Sequence, residues 1–328
     1  MQLYDDQLIV ITGGAGFIGS CFVRYLNDLG INNILIVDEF RQNEKWKNLV
    51  GKKFFDIIPK QELFQWLEGK DSEVEAFIHL GACSDTMEKD EKYLYENNYK
   101  YSVRLAEYAL EYDKRFIYAS SAATYGNGLN GFSDDHEGLF LLKPLNMYGF
   151  SKQLFDQWAY SHGVLDRLTG LKFFNVFGPN ENHKGRMISV PPKMVDQILN
   201  GHPVRLFKSS DREQFADGEQ KRDFIYVKDV VSIIYQFLKN DVCGIFNVGS
   251  GIPSTWNQLA YAVFNALDKK PNIEYIDMPP ELIKQYQNFS CADMTKTKKA
   301  LGKGIKQTSL DESILDYVRN YILLDEKW

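Results

Sequence analysis

The sequence predicts an α/β fold, in which a doubly wound parallel sheet is accompanied by a smaller C-terminal α/β lobe. The first observation is that short apolar runs alternate with longer amphipathic stretches through the first half of the 328-residue chain. The second is a glycine-rich segment that lies directly between the first apolar run and the first amphipathic stretch. Strands that alternate with helices form βαβ units, so we expect the sheet to be parallel.

The elements follow from this alternation. Four apolar runs predict buried parallel strands, at 8–11, 34–37, 76–80 and 116–119. Amphipathic patterns between them predict helices, for example at 18–29 and 100–111, and a further strand is predicted at 170–176.

Beyond Phe177 the alternation loosens, and Gly178-Pro179-Asn180 predicts a break in the chain. Residues 224–227 and 244–248 resemble strands again. The polar, acidic segment 211–220 predicts a mobile surface loop.

Composition limits the possible functions. The chain is 44% apolar and 25% charged, which is ordinary for a soluble globular protein, and its net charge of −6 argues against a general nucleic-acid binder. Neither a signal peptide nor an apolar run long enough to span a bilayer is evident, so we expect a cytoplasmic protein without membrane contact. The four cysteines form no Cys-x-x-Cys pair and the five histidines show no ligand spacing, so no metal site is predicted.

The glycine-rich segment is Thr12-Gly13-Gly14-Ala15-Gly16-Phe17-Ile18-Gly19. In this position Gly13 suits a tight turn, Gly16 lets a pyrophosphate approach the amide groups of the helix start, and Gly19 allows helix and strand to pack closely. The segment therefore predicts a dinucleotide site. A strand–helix turn without a ligand is the alternative.

Asp38 ends the second strand about twenty residues later, where a carboxylate can bind the ribose hydroxyls of the cofactor. A helix-capping aspartate is the alternative. The carboxylate favours NAD, whereas Arg41, Lys45 and Lys47 could neutralise the 2′-phosphate of NADP or be a solvated loop. The small residues in Leu80-Gly81-Ala82-Cys83-Ser84, at the end of the strand at 76–80, would let the backbone approach the nicotinamide ribose.

We therefore predict that residues 1–176 form a Rossmann-type dinucleotide-binding domain, which also receives segments near 222–250. Residues 177–328 would be mainly the substrate-binding lobe.

The predicted reacting centre is a tyrosine and a lysine four residues apart, Tyr148 and Lys152, which would share one face of a helix. Lys152 would bind the nicotinamide ribose and lower the pKa of Tyr148, which would then remove the proton of an alcohol. Ser121 leaves the preceding strand and could hydrogen-bond the reacting oxygen. An isolated Tyr-x-x-x-Lys pair is more often only part of a surface helix; the glycine loop and the serine favour catalysis.

Together these motifs resemble the extended short-chain dehydrogenase/reductase superfamily. Within it the chain is similar to the ADP-L-glycero-D-manno-heptose 6-epimerase family, on the segments His79-Leu80-Gly81-Ala82-Cys83-Ser84, Glu96-Asn97-Asn98-Tyr99, Lys143-Pro144-Leu145-Asn146-Met147-Tyr148-Gly149, Phe174-Asn175-Val176-Phe177-Gly178-Pro179, His183-Lys184-Gly185, Lys221-Arg222-Asp223-Phe224 and Gln285-Tyr286-Gln287.

The resemblance implies that bound NADP oxidises C6″ of an ADP-heptose and that the hydride then returns to the opposite face. It implies Lys184 as a second acid–base group beside Tyr148; a phosphate-binding or solvated lysine is the alternative. It also implies a homo-oligomer of about five or six subunits and further cofactor contacts at Phe17, Ile18, Glu39, Lys45, Lys60, Asn97, Val176 and Lys184.

Substrate contacts are implied in the same way. Arg222 would lie near the diphosphate, where a guanidinium binds phosphate well, and Asn175 and Tyr286 would orient the substrate. The other implied contacts are Arg186, Lys193, Phe207, Lys208, Ser209 and Ser210. Arg186 and Lys193 depart from the serine and histidine expected there, and segment 211–220 is longer than usual.

Two other functions fit parts of the pattern. One is a different nucleotide-sugar epimerase or a dehydratase, although a dehydratase should have an acidic pair where Ala122 and Ala123 follow Ser121. The other is a dinucleotide-sensing module without chemistry, which would have no need of Tyr148 and Lys152.

Overall fold

The computed structural model describes residues 7–40, 44–283 and 286–328. The strands are β1 Leu8–Thr12, β2 Ile34–Asp38, β3 Asp56–Pro59, β4 Val74–His79, β5 Arg115–Ser121, β6 Leu168–Phe173, β7 Asn175–Phe177, β8 Val204–Phe207, β9 Lys221–Arg222, β10 Phe224–Tyr226, β11 Gly244–Val248, β12 Ser254–Thr255 and β13 Ile273–Ile276. The α-helices are α1 Phe17–Asp28, α2 Leu63–Trp66, α3 Glu91–Leu94, α4 Tyr101–Glu111, α5 Met147–Ser161, α6 Val190–Leu199, α7 Val227–Lys239, α8 Trp256–Ala266, α9 Pro280–Ile283, α10 Thr295–Leu301 and α11 Leu310–Tyr317.

Seven parallel strands form the central sheet, in the order β11-β6-β5-β4-β1-β2-β3. The predicted doubly wound sheet is therefore confirmed. The order reverses between β1 and β4, and the carboxyl ends of strands at such a switch point leave a crevice for a ligand. The glycine loop after β1 and the small residues after β4 both lie at this point.

The four strands predicted in the first half are apolar on both faces because the sheet has a core on each side. In β1, Ile9 and Ile11 pack into one core, while Leu8 and Val10 pack into the other. Helices α1 and α7 contact each other over the first core, and α4 and α5 lie over the second.

Two details differ from the prediction. The edge strand β3 is absent from it, because Asp56-Ile57-Ile58-Pro59 offers only two apolar residues. The single strand predicted at 170–176 is wrong, because the chain divides at Phe174. There β6 ends, and β7 leaves the central sheet to pair with β10.

The second half contributes to both parts of the molecule, since β11 lies at the edge of the central sheet while β8 pairs with β13 and β9 with β12. Segment 211–220 contains no helix or strand, as predicted. The second half of this segment packs against the protein. Gly218 and Gln220 are buried, and the Asp217 carboxylate accepts a hydrogen bond of 2.8 Å from the Ser209 amide. Within the described ranges, no helix is long and apolar enough to cross a bilayer.

Candidate active site

The glycine loop packs against the loop that follows β4. Gly13 has φ +68°, and a Cβ added there would lie 2.7 Å from Gly81 Cα, so neither loop leaves room for a side chain. A Cβ on Gly19 would overlap the Gly13 carbonyl oxygen, which explains the close packing of α1 on the loop. The N-cap residue of α1 is Gly16, which has no side chain to accept a hydrogen bond from the first turn. The amide groups of this turn therefore face the cleft without a capping side chain.

A cleft of about 610 Å³ begins at this helix terminus, and a smaller cavity of about 200 Å³ adjoins it at the ends of β1 and β2. The open backbone at Gly16 and the positive end of α1 suit a pyrophosphate, so the residues present fit a dinucleotide. Every residue predicted to bind the cofactor lines one of these two spaces: Gly13, Gly16, Phe17, Ile18, Gly19, Asp38, Glu39, Lys45, Lys60, Leu80, Gly81, Ala82, Cys83, Ser84, Asn97, Tyr148, Lys152, Val176 and Lys184.

Asp38 has a structural task that the sequence did not indicate. Its Oδ2 accepts a hydrogen bond of 2.8 Å from the Ala15 amide, and its Oδ1 lies 2.8 Å from Lys45 Nζ. The carboxylate thus fixes the glycine loop as well as lining both cavities, and it is not the N-cap of either neighbouring described helix, α1 or the turn Lys45–Leu49. Lys60 Nζ lies 3.0 Å from the Glu39 carboxylate and donates to Asn97 Oδ1 at 2.6 Å.

Two ammonium groups, those of Lys45 and Lys60, are therefore held beside the smaller cavity by the acids Asp38 and Glu39. Lys47 pairs with Glu44 instead and lines neither space. Arg41, the remaining cation considered for the 2′-phosphate, lies outside the described residues.

His79, the last residue of β4, joins the end of β1 to α4, and nothing in the sequence beyond its place in a motif indicated this role. Its Nδ1 is 2.6 Å from Thr12 Oγ1, and its Nε2 is 2.8 Å from Ser102 Oγ. Because the Ser102 hydroxyl already donates to the Asn98 carbonyl oxygen, Nε2 must be the protonated nitrogen and Nδ1 the acceptor. Burial lowers the pKa of His79 to about 3, so the ring stays neutral.

The candidate catalytic residues come together in the larger cleft, which is lined by Ser121, Tyr148, Lys152 and Lys184. Ser121 ends β5, and Tyr148 and Lys152 lie one turn apart on α5, whose first turn Asn146 caps by accepting from the Gly149 amide at 2.8 Å. Lys152 Nζ donates a hydrogen bond of 2.8 Å to the Ala119 carbonyl oxygen.

The pKa of Tyr148 is raised from its ordinary value, because desolvation of the half-buried ring outweighs the opposing hydrogen bond with Ser121. In the protein alone the Lys152 ammonium bonds the Ala119 carbonyl oxygen. That Lys152 lowers the pKa of Tyr148, together with the positive charge of a bound oxidised nicotinamide, stays a prediction. Burial also lowers the pKa of Lys152 to about 8, against an opposing contribution from the Asp156 carboxylate.

Lys184 reaches the cleft from the short helical turn Asn182–Met187. Its Nζ lies 3.8 Å from the buried Glu181 carboxylate and 5.1 Å from the centre of the Phe17 ring. Burial lowers the pKa of Lys184, while Glu181 opposes that change. A lowered pKa makes the ammonium a readier proton donor, so the position is suited to acid–base chemistry.

Of the residues predicted to bind substrate, only Ser121 and Asn175 line the cleft. Arg186 lies at its edge, 69% exposed, with its guanidinium 2.6 Å from the Asp85 carboxylate. Lys193 donates to the Arg186 carbonyl oxygen at 2.9 Å, so the two departures from the family pattern contact each other.

A second group surrounds Arg222, whose guanidinium carbon lies 4.9 Å from the Tyr286 ring and 5.8 Å from the Trp256 ring. Phe207 contacts Tyr286 edge-on at 6.5 Å between centroids, and Trp256 Nε1 donates to Tyr286 Oη at 2.9 Å. Trp256 was missed, because one tryptophan at a helix start carries no signal in the sequence. This group connects to the cleft through Asn175, which donates to the Asp223 carbonyl oxygen at 3.0 Å.

The residues next to Phe207 are already paired within the lobe. Lys208 Nζ lies 3.0 Å from the Asp277 carboxylate, Ser209 is buried, and the Ser210 hydroxyl donates to Asn288 Oδ1 at 3.1 Å. Among the described residues, no cluster of His, Cys, Asp and Glu could hold a metal ion.

Known proteins are similar to this chain in sequence and in fold. A sequence model of the NAD dependent epimerase/dehydratase family matches residues 9–249, from β1 to just beyond β11. The chain belongs to this family. The matched region contains the glycine loop, Ser121, Tyr148, Lys152 and Lys184.

Curated relatives of this family member cover nearly the whole chain. It is 50% identical to the ADP-L-glycero-D-manno-heptose-6-epimerase of Nitratidesulfovibrio vulgaris (strain DP4), over 96% of this chain and 98% of the relative. It is 44% identical to the protein of the same name from Fusobacterium nucleatum, over 98% of this chain and 100% of the relative.

Solved structures extend the likeness. The ADP-L-glycero-D-manno-heptose-6-epimerase of Helicobacter pylori superimposes with a TM-score of 0.80 at 28% identity, covering 97% of each chain. A UDP-N-acetylglucosamine 4-epimerase from Methanobrevibacter ruminantium gives a TM-score of 0.79 at 26% identity, covering 97% of this chain and 99% of that one. Family members with different sugar substrates thus share the fold.

Proposed function

We propose that this chain is an isomerase that converts ADP-D-glycero-D-manno-heptose to ADP-L-glycero-D-manno-heptose at C6″, by transient oxidation and re-reduction. The product would serve the assembly of lipopolysaccharide inner-core heptose. The observation that carries the proposal is that two proton-transfer groups, Tyr148 and Lys184, line one cleft with the helix terminus of the glycine loop. The near full-length relatives at 50% and 44% identity support the heptose substrate.

When bound, a nicotinamide dinucleotide supplies the hydride acceptor and donor, so the overall reaction involves no net oxidation. Tyr148 would take the proton of the C6″ hydroxyl while Ser121 holds the oxygen by a hydrogen bond. Lys184 would exchange the proton when the hydride returns to the other side of the carbon. Inverting one carbon in this way benefits from two acid–base groups, and Tyr148 and Lys184, which both line the cleft, would serve as these groups.

We propose NADP as the preferred cofactor. Lys45 and Lys60 both border the smaller cavity, where their ammonium groups would attract the 2′-phosphate. Asp38 remains compatible with this choice, because Lys45 neutralises its carboxylate and the Ala15 amide occupies its second oxygen.

Arg222 and its aromatic neighbours are the proposed binding site for the ADP diphosphate. Arg222 is 7% exposed and burial lowers the pKa of its guanidinium, so an anionic partner would stabilise the charge. Asn175, Tyr286 and Phe207 would orient the substrate beside it, with Lys208, Ser209 and Ser210 further along the nucleotide. Arg186 and Lys193 would contact the substrate from the edge of the cleft.

We also propose that the enzyme acts in the cytoplasm as a homo-oligomer of about five or six subunits, an expectation taken from the family resemblance. Four reduced cysteines suit the cytoplasm, and Phe140, Leu141 and Phe150 are large apolar residues exposed by 56%, 64% and 43%, as a subunit contact would require. Light scattering after size exclusion measures the assembly directly.

The decisive experiment is NMR of ADP-D-glycero-D-manno-heptose before and after incubation with the purified protein, together with mass analysis of bound dinucleotide. Conversion between the two C6″ epimers supports the proposal. A bound dinucleotide with no conversion, followed by turnover of a UDP-sugar, would assign the chain to a different nucleotide-sugar epimerase.

A further inference from the structure

A fully buried ion pair lies directly behind the reacting centre. Lys172 on β6 and Asp156 on α5 are both 0% exposed, and Lys172 Nζ is 2.6 Å from Asp156 Oδ2. Removing two charges from water costs more than their attraction regains unless every remaining hydrogen bond is made. Apolar residues of similar size would serve the core at least as well, so the pair invites a second explanation.

The first part of that explanation is the way Asp156 joins α5 to β5. Its carboxylate accepts hydrogen bonds from the Tyr118 hydroxyl at 3.0 Å and from the Ser120 hydroxyl at 2.7 Å. Between these two residues lies Ala119, whose carbonyl oxygen holds the Lys152 ammonium. Asp156 therefore bonds to β5 on both sides of the Ala119 carbonyl group, which positions Lys152. Lys152 lies one helical turn before Asp156 on α5.

The second part concerns Ser121. Lys172 also donates to Thr124 Oγ1 at 2.7 Å, and the Thr124 hydroxyl donates to the Ser121 carbonyl oxygen at 2.8 Å. The Ser121 hydroxyl in turn accepts from the Ala123 amide at 3.1 Å. The ion pair is thus connected, through one threonine, to the turn that directs Ser121 into the cleft.

We propose that Asp156 and Lys172 are positioning residues for the reaction: the pair fixes the 119–124 segment on α5, so that Ser121 and Lys152 are held at the cleft in a single arrangement. The proposal rests on the proposed function for its kinetic consequences, and it concerns residues that touch neither substrate nor cofactor. Small displacements of a reacting group are costly, since a misplacement of about 1 Å can reduce a rate about a hundredfold.

Asp156 also affects the charge of Lys152. Burial lowers the pKa of Lys152 to about 8, and Asp156 is the first of the groups that oppose this change. Several other titratable groups lie near these two side chains or interact with their charges. They are Cys83 and His79 after and within β4, Tyr148 on α5, Tyr118 on β5, Lys172 on β6, Tyr125 after β5 and His136. Replacing Asp156 by asparagine would remove the opposing charge and leave Lys172 unbalanced, so Lys152 should lose its proton at a lower pH.

The test compares Asp156→Asn with Asp229→Asn. Asp229 is also buried and accepts two hydrogen bonds, from the Thr308 amide at 2.7 Å and the Thr308 hydroxyl at 2.9 Å, but it does not line the cleft. Two quantities are measured: kcat and KM for ADP-heptose, and the NMR titration of Lys152 with labelled lysine, assigned by its loss in Lys152→Met. The titration requires no turnover.

We expect kcat of Asp156→Asn to fall about tenfold to a hundredfold with a nearly constant KM, and the Lys152 titration to move below the wild-type midpoint of about 8. Asp229→Asn should lose stability but keep the wild-type kcat and the wild-type midpoint of the Lys152 titration. Wild-type kcat and an unmoved Lys152 titration in folded Asp156→Asn would overturn the proposal.

Because Asp156→Asn leaves a buried lysine unpaired and could fail to fold, Ser120→Ala provides a second test. It keeps the ion pair and removes one of the two hydroxyls that link Asp156 to β5, leaving that of Tyr118. We therefore expect kcat to fall by a smaller factor, and a wild-type kcat would contradict the link. The two proposals can fail separately. If the wild-type protein converts no nucleotide sugar, the proposed function is refuted. If the Lys152 titration still shifts in Asp156→Asn, the positioning role stands.

Discussion

The Lys152 ammonium donates its hydrogen bond to the carbonyl oxygen of Ala119, 2.8 Å away on the neighbouring strand. The Tyr-x-x-x-Lys spacing suggests a direct partnership between Lys152 and Tyr148, but within the protein the lysine is bound to β5. The phenol of Tyr148 contacts Ser121 instead, and its pKa stays above the ordinary value. The activation of Tyr148 therefore depends on what else enters the cleft.

Tyr148→Phe should reduce kcat by a factor of about 100 to 10,000, because it removes the hydroxyl that we propose transfers a proton. Dinucleotide binding should persist, since the ring still fills its place beside the cleft. NMR of the sugar measures conversion, and absorbance of the purified protein measures bound cofactor. Tyr160→Phe, a change at a 40% exposed tyrosine of the same helix, should keep the wild-type kcat. Full activity in Tyr148→Phe would remove this residue from the mechanism.

Lys184→Met should reduce kcat about a hundredfold or more with the cofactor still bound, because methionine keeps the apolar stem and loses the proton-transfer group. The matched control is Lys298→Met, at an exposed lysine of α10. Kinetics with both heptose epimers give the comparison. If only KM rises and kcat is unchanged, Lys184 binds substrate and is not an acid–base group.

Lys45→Ala and Lys60→Ala should each weaken NADP binding about tenfold or more, because a hydrogen bond to a charged partner contributes about 1.5–3 kcal/mol. Binding of NAD should change less, since NAD has no 2′-phosphate. Fluorescence titration with the two reduced dinucleotides measures both affinities, and Lys70→Ala serves as control at a lysine paired with Glu73. Equal losses for the two dinucleotides would refute the assignment of these lysines to the 2′-phosphate.

Arg222→Met should raise KM for the nucleotide sugar about tenfold or more and change kcat little, because in the proposed role the guanidinium binds the diphosphate, which does not react. Arg205→Met is the matched control, since Arg205 forms an exposed pair with Glu274 and lines neither cavity. Steady-state kinetics measure the effect. A KM equal to that of Arg205→Met would place the diphosphate elsewhere.

Acid should destabilise the protein through His79. Its pKa is about 3 in the folded protein and 6.5 ordinarily, so between these values the unfolded chain binds a proton that the folded protein does not. The free energy of unfolding should therefore decrease as the pH falls through this range, by up to about 1.4 kcal/mol per pH unit. His183, with a pKa lowered to about 4, should contribute in the same direction.

Urea unfolding at about pH 7 and about pH 5 measures this dependence. The slope of the free energy of unfolding against pH should be smaller in His79→Gln by roughly the contribution of one proton. His202→Gln, at an exposed histidine, should keep the wild-type slope. An unchanged slope in His79→Gln would mean that protonation of this ring does not drive acid unfolding.

The central sheet was predictable because its strands are buried on both faces and therefore read as continuous apolar runs. The glycine loop was equally clear, since Gly13 and Gly19 occupy positions where a side chain would collide with backbone. The edge strand β3 and the break at Phe174 were not predictable. The first has too few apolar residues, and the second depends on β7 pairing with β10, about fifty residues later.

By itself the sequence determined the type of sheet, the dinucleotide loop at the end of β1 and the residue types of a hydride-transfer site. These features depend on the spacing of residues along the chain, and the regular geometry of strands and turns fixes where residues at that spacing lie. Only the tertiary structure decided which partner each side chain takes: Lys152 with Ala119, Asp38 with Ala15, and Lys172 with Asp156. Such contacts join residues of different elements, and desolvation in the folded core then sets their protonation, which no local pattern specifies.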